Sequence, residues 1–214
     1  MNFEVQAGEF VALLGPEWRG EDDVPADHRV AFAPVAGRGE HWRVINFGRG
    51  GASPREAGGG VAHLPLLYGD LTAEENLRFY ARMYGLTDYE LRITEVLEMV
   101  GLEHRRRDLV RTYSRGMQQR LAIGRAVLHD PEIMLFDEPY TGLDQDASSM
   151  LDDVLKTVAA QGRTIVMTSH DLARAEELAT RFDILSRGVI AASATQKQLK
   201  KSNLLSFYKQ ALAG

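Results

Sequence analysis

The 214-residue chain contains no cysteine, no lysine before Lys156, no leucine between Glu17 and Gly60, and no apolar run near the ~18 residues that a membrane-spanning helix needs. Without cysteine there is neither a disulfide framework nor a thiolate metal site, which fits a reducing compartment. A net charge of -5 and a pI near 5.7 provide no basic excess. Non-specific binding to nucleic acid or to an acidic membrane surface is therefore excluded as a function class, and no nucleic-acid partner is expected. The first residues lack the basic-then-apolar order of a secretory signal. The expectation is a cytoplasmic protein that acts on a membrane only through a partner. The length suits one core with a helical subdomain.

The missing leucines divide the chain. Between 17 and 60, Gly and Arg crowd in with both tryptophans, Trp18 and Trp42, whereas from Val61 onward leucine recurs at helical and strand spacings. "FGRGGASPREAGGG" (47–60) has no periodic apolar face to bury, so 17–60 is expected to be irregular. After it, "TAEENLRFYARMYG" places Thr72 and Glu75 at capping-box spacing and Leu77, Tyr80, Ala81 and Tyr84 on one helical face. "YELRITEVLEMVGL" repeats the pattern with Leu91, Val96, Leu97 and Val100, and Gly101 ends it. Ser114 can cap a third helix running to His129. Pro131 then closes a turn before "EIMLFD", which reads as a strand buried on both faces. Asp146–Ala160 and Asp171–Thr180 read as helices, "TIVMTSH" as a second buried strand, and "FDILSRGVIAAS" as strand, Arg-Gly turn, strand. Alternating strands and helices predict one α/β domain over 1–214, with a mostly parallel sheet covered by helices. Within it, 1–16 supplies the first core strands, 17–60 an aberrant segment, 61–130 a loop and helical subdomain (its helices over about 72–130), and 131–214 the catalytic core.

The chemistry collects at strand ends. The apolar run Phe10–Leu14 delivers the chain to Gly15-Pro16, where a phosphate-binding loop would begin, but Glu17, Trp18 and Arg19 follow. In "IMLFDEP" a strand ends in Asp137 and Glu138, at the sheet edge where open α/β folds bind ligands. One carboxylate can hold Mg²⁺ through water while its neighbour orients or deprotonates an attacking water, the division of labour that phosphoryl transfer needs. A strand ending in Asp-Glu can equally be a plain helix cap, so the surrounding motifs decide. Ser114 and Gly116 precede a helix, whose positive end favours a phosphate. His170 ends an apolar strand; on its own it would read as a helix cap before Asp171. Asp144 would read as a turn residue after Gly142.

"TYSRGMQQRLAIGRAVLHDPEIMLFDEPYTGLDQDA", followed by "TIVMTSHD", resembles the ATP-binding-cassette (ABC) ATPases. Their signature matches Ser114, Arg115, Gly116, Met117 and Gln118. Their Walker B strand matches Ile133 to Glu138, their D-loop Gly142-Leu143-Asp144, and their switch histidine His170. The resemblance covers 1–16 and 61–214. It implies a P-loop NTPase-like fold, ATP and Mg²⁺ as cofactors, and a head-to-tail dimer with a second ATPase subunit, in which Ser114 to Gln118 meet the partner's nucleotide. It also implies Glu138 and His170 in catalysis, Asp137 on Mg²⁺ through water, and Asp144 communicating across the dimer. A transmembrane permease subunit would hold the protein on the inner face of the membrane. His63 stands where most relatives carry the glutamine that senses Mg²⁺ and contacts the permease. This histidine, the Arg-Gly-Met signature and the short C-terminus look like the haem exporter of cytochrome c maturation. General ABC-2-type multidrug exporters share the Arg-Gly-Met feature, and a catalytically silent subunit is the non-enzyme alternative. A soluble ABC protein of translation or DNA repair is disfavoured, because neither tandem cassettes nor long coiled-coil insertions are present. The family also carries an adenine-stacking aromatic residue before "NFEVQAGEFVALLGP", and Met1 begins too late to supply it, so the start is expected to be misassigned.

At 17–23 the family would place Asn-Gly-Ala-Gly-Lys-Thr-Thr, with backbone N–H groups around the phosphates, a lysine on them and a hydroxyl on Mg²⁺. Arg19 cannot substitute, because it lies before the helix that the lysine should open. Reading the genetic code backwards explains the loss. Glu17 to Asp23 can be encoded as GAA TGG CGC GGG GAA GAC GAC, and dropping the first base, with a following G from Val24, gives Asn-Gly-Ala-Gly-Lys-Thr-Thr. The same frame through Pro34 permits the leucine-bearing amphipathic helix that should follow the loop. Since His63 keeps its family position, the segment has kept its length, as two compensating one-base shifts would leave it. Residues 17–60 are therefore read as out-of-frame translation, in preference to a low-complexity arm selected for binding.

Overall fold

The computed structural model describes residues 4–15, 29–34, 41–47, 59–61, 66–186, 189–199 and 203–213. The strands in chain order are β1 (Glu4–Gln6), β2 (Phe10–Leu14), β3 (Arg29–Pro34), β4 (His41–Phe47), β5 (Gly59–Val61), β6 (Ile133–Asp137), β7 (Thr164–Ser169), β8 (Arg181–Ser186) and β9 (Val189–Thr195). Six of them form one sheet in the order β5-β6-β7-β2-β8-β9, with β9 antiparallel to β8 and every other neighbour parallel. The helices are α1 (Ala73–Met83), α2 (Tyr89–Met99), α3 (Arg115–Val127), α4 (Gln145–Ala160), α5 (Leu172–Leu178), α6 (Gln196–Leu199) and α7 (Leu204–Ala213). This is the α/β architecture that the alternating pattern predicts.

The central strands are apolar on both faces, as a parallel sheet requires. On one side Phe10, Ala12, Leu14, Met134, Phe136, Ile165, Met167, Phe182 and Ile184 join helical side chains such as Leu121, Leu151, Leu155 and Val158 in the main core. On the other side Val11, Ile133 and Val166 meet Val5 in a small cluster, which no helical side chain joins among the described residues.

α1 begins with the expected capping box: Thr72 Oγ1 accepts from the Glu75 N–H, and Glu75 accepts from the Thr72 N–H at 2.8 Å. Leu77 and Ala81 of its apolar face are fully buried. α2 departs from expectation at one position, for Leu91 is 71% exposed while Ile93, Val96, Leu97 and Val100 are fully buried. At about 100° per residue, Leu91 lies roughly 200° around the helix from Ile93. Its face points to solvent.

The expectation of irregular structure throughout 17–60 is corrected. β3 and β4 pair antiparallel from Arg29↔Phe47 to Pro34↔Trp42, β4 also pairs with β1, and β5 adds an edge strand beside β6. "RVAFAP" and "HWRVINF" are rich in β-branched and aromatic residues, and these favour strands without any leucine.

Candidate functional site

β6, β7 and β2 lie side by side, and their carboxyl ends bring the chemistry together. Asp137 is in register with Thr168, and Leu14, just before Gly15, with Ser169. The Thr168 hydroxyl donates to Asp137 Oδ1 at 2.8 Å and accepts the Glu138 N–H at 2.9 Å. That bond helps hold Glu138 in a left-handed conformation, φ +43°, which a non-glycine residue adopts only when its surroundings fix it. The Glu138 side chain lies 2.9 Å, Oε2 to Nδ1, from His170. Glu138 is 25% exposed and His170 62%, so the pair opens to solvent on the histidine side. A carboxylate in direct contact with an accessible imidazole can orient and deprotonate a water that approaches the pair from its open side. Asp171, not His170, caps α5 by accepting the Arg174 N–H at 3.1 Å, which leaves the imidazole available.

Asp137 ends β6 exposed, with Oδ1 fixed by Thr168. Among the described residues no group of three or more His, Asp or Glu side chains could hold a metal. An exposed carboxylate of this kind could reach a Mg²⁺ through water.

A second group forms where α3 begins. The Ser114 hydroxyl accepts the Met117 N–H at 3.3 Å, so it caps the helix while its own O–H can still donate. Gly116 is buried against the start of α4, where an added Cβ would stand 2.5 Å from Ala147 Cβ. The Arg115 guanidinium lies over Gly142, whose φ is +73°. Met117 packs on the main core, and Gln118 donates back to the Val110 and Tyr113 carbonyls at 3.4 Å each. Asp144 caps α4 through the Ala147 N–H at 2.8 Å. The 115–116 and 142–147 stretches are thus packed on each other. Pro16, His63 and the phosphate-loop position 17–23 lie outside the described residues.

Four residues of this neighbourhood escape sequence reasoning: Thr168, Tyr140, Asp152 and Arg174. Thr168 carries a faint signal as a polar residue in an apolar strand two positions before His170. The Tyr140 hydroxyl donates to Asp152 Oδ1 at 2.6 Å, and Arg174 Nη1 stands 2.6 Å from Asp152 Oδ2. Burial, reinforced by the bond to Asp152, pushes the Tyr140 phenol far above its ordinary range.

The ABC transporter family model matches residues 45–141, a span that includes Ser114 to Gln118, Asp137 and Glu138. The chain is 34% identical over 207 residues to the linearmycin resistance ATP-binding protein of Bacillus subtilis, covering 93% of this chain and 64% of that one. It is 35% identical over 208 residues to a fluoroquinolones export ATP-binding protein of Mycobacterium tuberculosis, covering 94% and 65%. The chain thus spans slightly less than two thirds of the length of these relatives. A solved ATP-binding subunit of an ABC transporter superposes with a TM-score of 0.70 at 29% identity, over 96% of this chain and 89% of that one. These relatives are named for antibiotic resistance or drug export, so the haem-exporter expectation finds no support.

Proposed function

Because the chain belongs to the ATP-binding subunits of ABC transporters, we propose that it powers export of antibiotic-like or drug-like molecules through a membrane permease by binding and hydrolysing ATP with Mg²⁺. The observation that carries this reading is the Glu138 carboxylate held 2.9 Å from His170 at the strand ends. In it, Glu138 activates the water, His170 meets the γ-phosphate, Asp137 holds Mg²⁺ through water, and Thr168 fixes both acids. Ser114 to Gly116 would cover the nucleotide of a second subunit in a head-to-tail dimer, with Asp144 at the contact. Exposed Phe79 and Met83 line a groove with Leu71, Glu75, Arg78 and Arg82, and exposed Tyr68 packs on Phe79, a surface that suits the docking of an apolar permease segment with polar flanks and a peripheral place on the inner face of the membrane.

A second reading, a catalytically silent subunit, is favoured by 17–23. No lysine or Ser/Thr hydroxyl stands there, and the family model's match begins only at 45. On this reading out-of-frame translation has removed the phosphate loop, and the chain offers only its signature face to an active partner.

Reconstitution in liposomes tests the transported class. A chain translated in the restored frame across 17–60, together with its permease, should show ATP-dependent transport of a fluoroquinolone and phosphate release stimulated by it. Stimulation by haem alone would overturn the drug-export reading.

A further inference from the structure

We propose that Arg174, Asp152 and Tyr140 form a positioning joint that sets the spacing of Glu138 and His170 and ties it to the placement of the stretch 142–145. The inference rests on the ATPase reading for its catalytic consequence, but the joint itself is a matter of geometry. Tyr140 stands two residues after Glu138, Asp152 two turns into α4, and Arg174 at the start of α5, just after His170. The Tyr140 hydroxyl and Arg174 Nη1 reach opposite oxygens of Asp152, each at 2.6 Å. The guanidinium also lies 5.0 Å from the Tyr140 ring centroid, 3.4 Å through Nε from Asp171 Oδ2, and 3.3 Å through Nη2 from Gln145 Oε1. One cation therefore touches the segments that follow Glu138, Asp144 and His170. Side-chain exposures of 14% for Arg174 and 11% for Asp152 place the pair largely out of water.

A buried ion pair is a poor device for stability alone, because desolvating the charges offsets most of their attraction and apolar side chains of similar volume would serve as well. Its attested advantage is geometric. The carboxylate is fully engaged by two directional partners, and planar Arg174 has its fork, its face and its edge all occupied. Each end of the joint sits within four residues of a group in the proposed reaction. If the stretch 142–145 moves when a second subunit docks, Gln145 carries the displacement to Arg174, and Arg174 carries it through Asp171 to the backbone of His170.

The test has one arm that needs no nucleotide. Tyr140→Phe keeps the ring under Arg174 and removes only the bond to Asp152; Arg174→Lys keeps the charge and loses the fork. In the 214-residue chain, at a pH where imidazole is neutral, ¹⁵N NMR should find the His170 proton on Nδ1, facing Glu138. In both variants it should shift to the Nε2 tautomer that an unconstrained histidine prefers. A variant that is less stable yet keeps the wild-type tautomer would show that the joint merely packs α4 and α5, and would overturn the proposal. The second arm measures phosphate release in the restored-frame chain, where Tyr140→Phe should lower kcat about 10-fold with KM for ATP unchanged, as expected when misplacement costs rate and not binding. An unchanged kcat in an active chain overturns the joint. A restored chain with no ATPase activity, whose His170 tautomer nonetheless responds to both variants, overturns the functional reading and leaves the joint standing.

Discussion

Gly116 and Gly142 are positions where one added carbon decides whether the α3 start and the 142–147 stretch can touch. At Gly116 a methyl group would meet Ala147 Cβ at 2.5 Å, and both belong to rigid helical backbone that cannot yield by rotating a side chain. Gly116→Ala is expected to destabilise the fold by about 1–3 kcal/mol, measured by urea unfolding, as overpacking in a filled contact does; a variant as stable as the parent would show that the two helix starts are not in contact. Glu138→Gln in the restored-frame chain should trap an ATP-bound dimer and cut phosphate release by about 10²-fold or more, since the base is lost while phosphate binding survives. Normal release would exclude Glu138 as the base. Glu138 and His170 were legible in the sequence because ordered motifs name them. Thr168, Tyr140, Asp152 and Arg174 were not, because their partners lie 12 to 31 residues away and only the folded register brings them together.

Helices announced themselves better than strands. The Thr72–Glu75 capping box and the apolar face of α1 are local in sequence, so spacing alone locates them. β3 and β4 were missed because the absence of leucine and the Gly/Arg bias of 17–60 hid short β-branched and aromatic runs whose partners are other strands. Leu91 fits the turn spacing of α2 but not the phase of its buried face, which Ile93 sets.

Two elements give stability predictions. Asn76, fully buried in α1, accepts the Tyr68 N–H at 2.8 Å and donates to the Tyr68 and Thr72 carbonyls at 2.9 Å each. Asn76→Ala strands these groups and should cost about 3 kcal/mol by urea unfolding. A loss under about 0.5 kcal/mol, the ordinary surface range, would contradict that account. At the end of α3, burial, with Arg125 adding to it, pushes the His129 imidazole below 6.5, while its ring stacks on Tyr84 at 4.4 Å. The native form therefore binds fewer protons than the unfolded chain just below pH 6.5. This contribution is complete above 6.5 and is lost as pH falls toward the lowered folded value. His129→Phe keeps the stack and should flatten the fall of the urea midpoint on acidification below 6.5; identical pH profiles would place that dependence elsewhere.

At the scale of the whole molecule, the α/β order and the family were legible because 61–214 keeps its motifs in sequence order. The transported class was not, because the residues that recognise cargo would lie in a membrane partner and leave no motif in this chain. The central proposal is that the stretch 17–23 lacks the phosphate loop an ATPase of this family needs, and that out-of-frame translation removed it. Glu21 stands at the position of the loop lysine and Asp22 and Asp23 at those of the two threonines, and carboxylates repel a polyanion. The most direct measurement is a titration, with a fluorescent ATP analogue, of the 214-residue chain and of the same chain restored across 17–60. The account predicts saturable binding by the restored chain and none by the written chain at millimolar nucleotide. Micromolar binding by the written chain would contradict it and would place a phosphate site within 17–60.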